Sequence, residues 1–284
     1  MSALEKTENK TREFVFTDKD FETIRRIVGE RTGIMLADGK RDMVYGRLAR
    51  RLRALGLSRF DEYCRIVADG SDQAELSELV NAITTNLTAF FRENHHFEFL
   101  ANTLLPELIR KKPEKRMRIW SAGCSSGEEP YSIAMVVKEV VPSNWDVKIL
   151  ATDLDSNMVA RAKNGVYEEK RVSGIGKQRL KRWVMKGGGQ NDGMIRMSDD
   201  LRNIITFKQL NLMNRWPMKG PFDFIFCRNV VIYFSKDTQR VLFNRFADML
   251  PDQAYMFIGH SESMFNVCDR FKLIGKTIYR KQGR

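Results

Sequence analysis

The chain has 284 residues, of which 43% are hydrophobic and 30% are charged, a balance typical of globular proteins and not of disordered ones. A chain of this length can form one large core with or without a small accessory domain. Its first ten residues are polar and charged, so they do not resemble a secretory signal. No apolar run reaches the ~18 residues of a membrane-spanning helix.

The cysteines and histidines do not indicate a metal site. Three histidines are present, and the four cysteines lie far apart without a C-x-x-C pair. We therefore expect no metal, and we expect reduced, mostly buried thiols in a cytoplasmic protein: Cys64, Cys124, Cys227 and Cys268.

The formal net charge is +12, and a large share of it is concentrated in one segment. Between Lys40 and Arg53, six basic residues stand against the single acid Asp42, a net charge of +5 in fourteen residues. Such a patch favours an acidic partner, although an ordinary solvated helix face is the alternative. The candidate docking residues are Lys40, Arg47, Arg50, Arg51 and Arg53.

Residues 1–14 are predicted to form a flexible tail, and residues 15–85 an all-α domain. Apolar residues recur at helical spacing in two segments, Phe21 to Val28 and Val44 to Leu55. In the second segment Val44, Leu48, Leu52 and Leu55 fall on one arc. Two further amphipathic segments, FDEYCRIVADG and AELSELVNAITTN, complete a predicted helical bundle.

Residues 86–284 are predicted to form an α/β domain. Short apolar strands such as MRIWSAG, VKILATD and FDFIFCR alternate with helical stretches, as in a mainly parallel sheet flanked by helices. The last two strands, FKLIGK and TIYRK, are close together and favour a terminal antiparallel hairpin. Residues 165–205 interrupt the alternation with a helix, KQRLKRWVM, and a glycine-rich turn, which predict a small β insertion.

The stretch IWSAGCSSGEEPYSIAM predicts a strand that ends in small residues and continues as a helix near Glu128. In parallel sheets, such turns bind anionic or nucleotide-like ligands. Asp153 ends the next strand, where a carboxylate suits the two hydroxyls of a ribose. Because no diphosphate fingerprint is present, a phosphate-free nucleoside cofactor such as S-adenosylmethionine fits best. Two alternatives stay open: Glu129 could close an S-x-x-E capping box, and Asp153 could cap the following helix.

Two further clusters combine polar residues with apolar surroundings. In AITTNLTAFFREN, Asn86, Thr88 and Arg92 either contribute to a site or belong to a domain junction with a surface arginine. In FDFIFCRNVVIYF, Arg228 and Asn229 follow an apolar strand at the same sheet edge. Tyr233 either faces that crevice or packs with its hydroxyl in water.

Together, NLTAFFR, SAGCSSGEEPYS, ATDLD, FDFIFCRNVVIYF and GHSE resemble the chemotaxis receptor glutamate methyltransferases, the CheR family. The resemblance covers residues 15 to 282 and implies a Rossmann-like sheet that binds S-adenosylmethionine. It implies methyl-ester formation on receptor glutamates, with Arg92 and Tyr233 nearest the reacting groups. The implied cofactor pocket comprises Asn86, Thr88, Arg92, Glu129, Asp153, Asn211, Leu212, Arg228 and Asn229.

The resemblance also implies partners. The basic segment would face the acidic methylation helices of a chemoreceptor. Members that bind a C-terminal receptor pentapeptide carry glycines in the β insertion, a pattern that Gly187, Gly189, Gly193 and Arg196 resemble; a flexible turn is the alternative. We expect a monomer without membrane insertion.

Two other functions compete with this interpretation. A nucleic-acid methyltransferase would suit a basic protein, but its Asp/Asn-Pro-Pro-aromatic motif is replaced here by CRNVVIYF, and Cys227 lies inside an apolar strand. A non-catalytic module that senses the cofactor or docks on receptors is the second alternative.

Overall fold

The computed structural model describes residues 12–283. The chain forms two compact units, a helical unit that ends at Ile83 and an α/β unit from Thr84 onward that also includes Thr32–Ile34. Within the described residues, the helices of the first unit are α1 (Asp18–Thr32), α2 (Arg41–Leu55), α3 (Phe60–Asp69) and α4 (Gln73–Ile83).

The apolar arc of α2 forms part of the core of the helical unit. Val44, Leu48 and Leu52 are fully buried, as their spacing predicts. Leu55 lies on the same arc but is 40% exposed. It is exposed because α2 ends at Leu55 and the chain turns away at Gly56, which has a φ of 66°.

The predicted tail of residues 1–14 lies outside the described residues up to residue 11. Phe14 is buried and packs edge-on against Phe60 with ring centroids 6.3 Å apart. Its backbone N–H donates to the hydroxyl of Tyr45 over 3.2 Å. The packed core of the helical unit therefore includes Phe14.

The α/β unit alternates helices and strands along the chain. Its elements are α5 (His95–Phe99), α6 (Leu105–Lys111), β1 (Arg116–Ala122), α7 (Glu128–Val140), β2 (Asp146–Asp153), α8 (Ser156–Asn164), β3 (Val166–Glu168), α9 (Lys177–Trp183), β4 (Val184–Lys186), β5 (Met194–Met197), α10 (Asp199–Arg202), β6 (Ile205–Gln209), β7 (Phe224–Cys227), α11 (Lys236–Asp248), β8 (Tyr255–Ile258), β9 (Phe271–Gly275) and β10 (Ile278–Lys281).

Seven of these strands form one sheet in the order β6-β2-β1-β7-β8-β10-β9. The strands from β6 to β8 run parallel, and β10 pairs antiparallel with both β8 and β9, which confirms the terminal hairpin. Alternate residues of β7 enter opposite cores: Phe224 and Phe226 pack on one face of the sheet, Ile225 and Cys227 on the other. Burial on both faces explains why this strand is a continuous apolar run.

The insertion is a separate three-stranded antiparallel sheet in the order β3-β5-β4, as the glycine-rich turn predicts. The helix predicted over KQRLKRWVM ends at Trp183, because Val184 and Met185 already belong to β4. No helix among the described residues has the length and apolar character needed to cross a membrane.

Candidate active site

The parallel strands β6, β2, β1 and β7 end at one edge of the sheet, and we call the chain segments that directly follow them the crest. The segment after β1 turns sharply into α7 at Gly127, which has a φ of 101°. A Cβ atom at this position would lie 2.8 Å from the hydroxyl of Tyr167 and 2.9 Å from the Cβ of Ala162. Only glycine fits here, so the chain can reverse tightly into α7 at this position.

Asp153 joins two segments of the crest. Its Oδ2 accepts from the N–H of Ser125 over 2.7 Å, and its Oδ1 accepts from the N–H of Asp155 over 2.9 Å. Burial raises the pKa of Asp153 to about 6, although these backbone hydrogen bonds oppose the shift. The helix-capping alternative is wrong, because Asp155 caps α8 by accepting from Asn157 and Met158.

Glu129 lies in the first turn of α7 and is buried. Its Oε1 accepts from the hydroxyl of Ser121 over 2.7 Å, and its Oε2 lies 3.2 Å from the guanidinium of Arg228. The N-cap residue of α7 is Gly127, which has no side chain to cap the helix, and the hydroxyl of Ser126 donates to Glu128 instead. The capping-box alternative is therefore wrong. Burial raises the pKa of Glu129, and the charge of Arg228 opposes that shift.

Arg228 follows β7 and connects three segments of the chain. Its side chain is 2% exposed and forms ion pairs with Glu129 at 3.2 Å and with Glu93 at 3.3 Å. It also donates to the backbone carbonyl of Arg92. One buried guanidinium thus fixes the end of β7, the start of α7 and the segment before α5 relative to each other.

The segment from Asn86 to Arg92 lies along the crest. The Asn86 amide donates to Asp155 over 2.7 Å, and the hydroxyl of Ser125 donates to the Asn86 carbonyl over 3.2 Å. Thr88 is half-buried in the same segment. Arg92 is also half-buried and donates to the carbonyl of Leu87 over 2.9 Å. The segment therefore contacts the crest through Asn86, which bonds residues that follow β2 and β1.

Asn211 and Leu212 follow β6 beside Asp153, since the N–H of Leu210 donates to the Asp153 carbonyl over 2.8 Å. The amide oxygen of Asn211 accepts from the N–H of Met213 over 2.9 Å. Leu212 is 8% exposed and packs in the same apolar core as Trp216.

The loop that carries Asn229 and Tyr233 is held by Glu262. This carboxylate accepts from the N–H groups of the loop, at 2.9 Å for Asn229, 2.8 Å for Val230 and Val231, and 3.3 Å for Ile232. Asn229 has a left-handed backbone with a φ of 59°, and Tyr233 is half-buried at the end of a 3-10 turn. Glu262 therefore sets the geometry of this part of the crest.

Sequence reasoning missed Glu93 and Glu262. Glu93 lies in AITTNLTAFFREN and Glu262 in GHSE, but the partners of both are remote in sequence. The four cysteines are buried and unpaired, as predicted. Burial raises the pKa of Cys227 well above its ordinary value, so this thiol is not a nucleophile at neutral pH.

The basic segment of the helical unit contains two kinds of residue. Arg47 donates to the carbonyls of Ala82 and Ile83, and Arg51 forms an ion pair with the buried carboxylate of Glu75. Arg53 is exposed and pairs with Glu13 at 2.5 Å. The remaining two residues are exposed and form no ion pair with a residue that the structure describes: Lys40 and Arg50.

The glycines of the insertion turn the hairpin between β4 and β5. The N–H of Gly187 donates to the Met194 carbonyl over 2.8 Å, and the φ angles of Gly189 and Gly193 are 59° and 76°. Arg196 is exposed on the central strand β5 and lies 3.2 Å from Asp199.

Two family models match consecutive parts of the chain. The model described as CheR methyltransferase, all-alpha domain matches residues 19–84, and the model described as CheR methyltransferase, SAM binding domain matches residues 86–280. The chain belongs to the CheR methyltransferase family. It is an S-adenosylmethionine-dependent methyltransferase of chemotaxis. The family match favours this function over the nucleic-acid and non-catalytic alternatives.

Curated relatives agree with this family. The chain is 42% identical to a chemotaxis protein methyltransferase of Salmonella typhimurium over 95% of this chain and 92% of the relative. It is 45% identical to a probable chemotaxis protein methyltransferase of Rhizobium etli over 87% of this chain and 94% of that protein. Among solved structures, PKMT2 from Rickettsia typhi in complex with AdoHcy is 15% identical, with a TM-score of 0.34 over 56% of this chain and 25% of that one.

Proposed function

We propose that this protein transfers a methyl group to glutamate side chains of bacterial chemoreceptors, forming γ-methyl esters in the cytoplasm. The observation that carries the proposal is the buried side chain of Arg228, which pairs with Glu129 and donates to the backbone carbonyl of Arg92. All three residues belong to the cofactor pocket that the resemblance to the family implies. The family name supports methyl transfer in chemotaxis, and the glutamate acceptor is our addition.

The chemistry needs no general base. When bound, S-adenosylmethionine supplies a methyl group on a sulfonium, and its transfer to a glutamate oxygen forms one C–O bond and breaks one C–S bond, with the electron pair staying on sulfur. A glutamate carboxylate, with an ordinary pKa of about 4.3, is already ionised at neutral pH. The task of the protein is alignment, which can lower a barrier by roughly 7–11 kcal/mol.

We assign the roles of crest residues accordingly. Asp153 binds the ribose hydroxyls, since its carboxylate lies at the end of β2 and accepts hydrogen bonds there. Asn86, Thr88, Glu129, Asn211, Leu212, Arg228 and Asn229 complete the cofactor pocket. Arg92 and Tyr233 orient the methyl group and the incoming carboxylate; both side chains are half-buried, as such a role requires.

The basic segment supplies the receptor contact in this proposal. Lys40, Arg50 and Arg53 are exposed and meet the acidic methylation helices of a receptor. Arg47 and Arg51 already have partners inside the helical unit, so they stabilise the helix that carries the docking residues. The protein acts as a monomer.

The insertion offers a second docking site. Among the described residues, β3 and β4 are the edge strands of its sheet, and an extended receptor pentapeptide can add as a further strand at one of them. Gly187, Gly189 and Gly193 shape the adjoining hairpin, and Arg196 carries a positive charge on the middle strand. Calorimetry with receptor tail peptides tests this site; absence of heat with every tail would leave the hairpin as a turn only.

The decisive experiment follows a labelled methyl group from the cofactor. We expect alkali-labile label in receptor membranes and none in tRNA or duplex DNA. Label in nucleic acid, or base-stable label on receptors, would refute glutamate ester formation. Bound cofactor without transfer to any receptor would support the non-catalytic alternative.

A further inference from the structure

The insertion contacts the turn after β1, although its three strands belong to a separate sheet. Tyr167 of β3 is fully buried, and its hydroxyl donates to the backbone carbonyl of Ser126 over 2.7 Å. Arg171 lies in the 3-10 turn that follows β3 and forms an ion pair with Glu128 at the start of α7. Two side chains of the insertion therefore reach the crest.

The turn that they contact has a strained backbone. Within five residues, Gly123, Ser125 and Gly127 all have left-handed φ angles, of 87°, 47° and 101°. The conformation is costly for Ser125, which has a Cβ atom, and it persists only where the surrounding structure holds it. The contacts from the insertion fall directly after Ser125, on Ser126 and Glu128.

This turn also fixes the carboxylate that we assign to the ribose. The N–H of Ser125 donates to Oδ2 of Asp153 over 2.7 Å. The next residue, Ser126, accepts from Tyr167 through its carbonyl and donates to Glu128 through its hydroxyl over 2.6 Å. Because these bonds lie on consecutive residues, a shift of the Ser126 backbone would displace the N–H that holds Asp153.

Attachment of the insertion to the sheet domain does not depend on these contacts alone. On α9, Arg179 pairs with Glu139 at 2.8 Å, and the indole N–H of Trp183 donates to the same carboxylate over 3.1 Å. Glu139 lies near the end of α7, eleven residues after Glu128, at the far end of the helix from the turn. Anchoring therefore leaves the contacts of Tyr167 and Arg171 with the strained turn unexplained.

We infer that Tyr167 and Arg171 are positioning residues that hold the turn after β1 in the conformation that places Asp153 for the cofactor. The insertion then supports the cofactor site in addition to its proposed docking role. The turn is ordered when the protein folds, so cofactor binding does not have to order it. The inference rests on the crest as the cofactor site, and it is independent of the methyl acceptor.

Tyr167→Phe is the most direct test, because it removes only the hydroxyl and keeps the ring that packs edge-on against Phe90. We expect it to weaken binding of S-adenosylhomocysteine about fivefold in calorimetry on the full chain, the effect of one net hydrogen bond. The KM for S-adenosylmethionine should rise by a similar factor with kcat nearly unchanged, since the lost contact acts on binding. Unchanged affinity in folded Tyr167→Phe would overturn the inference.

Tyr131→Phe is the matched control. Tyr131 is also fully buried, and its hydroxyl also donates to a backbone carbonyl, that of Ala162 on α8, over 3.0 Å. Both variants should lower the melting temperature to a similar extent, but only Tyr167→Phe should lose cofactor affinity. Equal loss of affinity in the two variants would contradict a positioning role, because general loosening of the core predicts it.

Arg171→Gln tests the ion pair and decides the matter if Tyr167→Phe does not fold. It leaves the buried carboxylate of Glu128 without its counter-charge and should weaken S-adenosylhomocysteine about tenfold, whereas Arg171→Lys should recover most of the affinity. Lys170→Gln changes the exposed neighbouring residue and should have no effect. Equal affinities of Arg171→Gln and Lys170→Gln would overturn the inference.

The inference and the proposed function fail in different ways. Wild-type protein that binds S-adenosylhomocysteine but methylates no receptor would refute the proposed function and leave this test intact. Wild-type protein that does not bind S-adenosylhomocysteine would refute the inference itself.

Discussion

The crest and helix α2 both concentrate charged residues, but they use them in opposite ways. Arg228 at the crest is 2% exposed at its side chain and has two carboxylate partners, so it fixes the positions of several segments. Arg50 on α2 is exposed and forms no ion pair with a described residue. Buried charge in this protein determines geometry, whereas exposed charge is available for a partner.

The strongest test of this contrast is Arg228→Ala. Removing the guanidinium leaves the carboxylates of Glu93 and Glu129 buried without their counter-charge, which should cost about 3–5 kcal/mol in the free energy of unfolding. Urea unfolding measures this loss. Arg228→Lys keeps the charge without the planar fork and should recover only part of it. If Arg228→Ala unfolds like the wild type, buried charge does not determine the crest geometry.

Arg92→Ala should separate activity from stability. The half-buried side chain donates one hydrogen bond within the described part of the chain, to the Leu87 carbonyl, and its loss should cost about 1 kcal/mol. As an orienting group it should nevertheless lower turnover on receptor membranes by roughly a hundredfold. Measurements of melting temperature and kcat on the same variant distinguish an orienting role in catalysis from a structural role. A large drop in melting temperature with normal specific activity would contradict the assignment.

Asp153 should make cofactor binding depend on pH. Its pKa is raised to about 6 in the folded protein, so the folded state holds the proton more tightly than the unfolded chain does. The contribution of Asp153 to stability therefore decreases as pH rises from about 4 to about 6. Ribose hydroxyls bind the ionised form, so affinity should be roughly tenfold weaker at about pH 5 than at about pH 7.5.

Calorimetry with S-adenosylhomocysteine across this range measures the effect. In Asp153→Asn, affinity should be low at every pH, because the group can no longer ionise. A wild-type affinity that stays flat down to about pH 5 would be incompatible with a ribose contact through this carboxylate.

The smallest expected effect concerns the exposed charges of α2. Reversing Arg50 and Arg53 to Glu should lower receptor methylation severalfold at low salt, with a smaller difference at high salt, and should leave cofactor affinity unchanged. Arg59→Glu reverses another exposed arginine of the same unit and serves as control. Equal rates of receptor methylation for the docking variant and the control would show that the basic segment is an ordinary solvated surface.

The sequence predicts the fold more completely than it predicts the candidate site. The parallel strands were predictable because burial on both faces forces apolar runs such as FDFIFC, and polar residues at their ends mark the crest. Glu262 was not predictable as a structural group, since its partners are backbone N–H groups about thirty residues away, which leave no side-chain pattern.

The same limit applies to pairing between remote residues. Glu93 lies 2.9 Å from Nδ1 of His260, a contact that forms only when the loop after β8 has packed. Arg51 belongs to the basic segment by composition, yet its ion pair with Glu75 on α4 depends on how two helices pack. Composition therefore located the charged surface without distinguishing its free charges from its structural ones.

The position of β10 has a consequence for biosynthesis. This strand lies between β8 and β9, so β8 has no neighbour on that side until β10 has emerged from the ribosome. The helical unit is synthesised first and can fold early, whereas the large sheet remains open until the last strands arrive. Translation products that stop before β10 would expose the apolar strand YMFI along an unpaired edge, which makes them targets for chaperones and proteases.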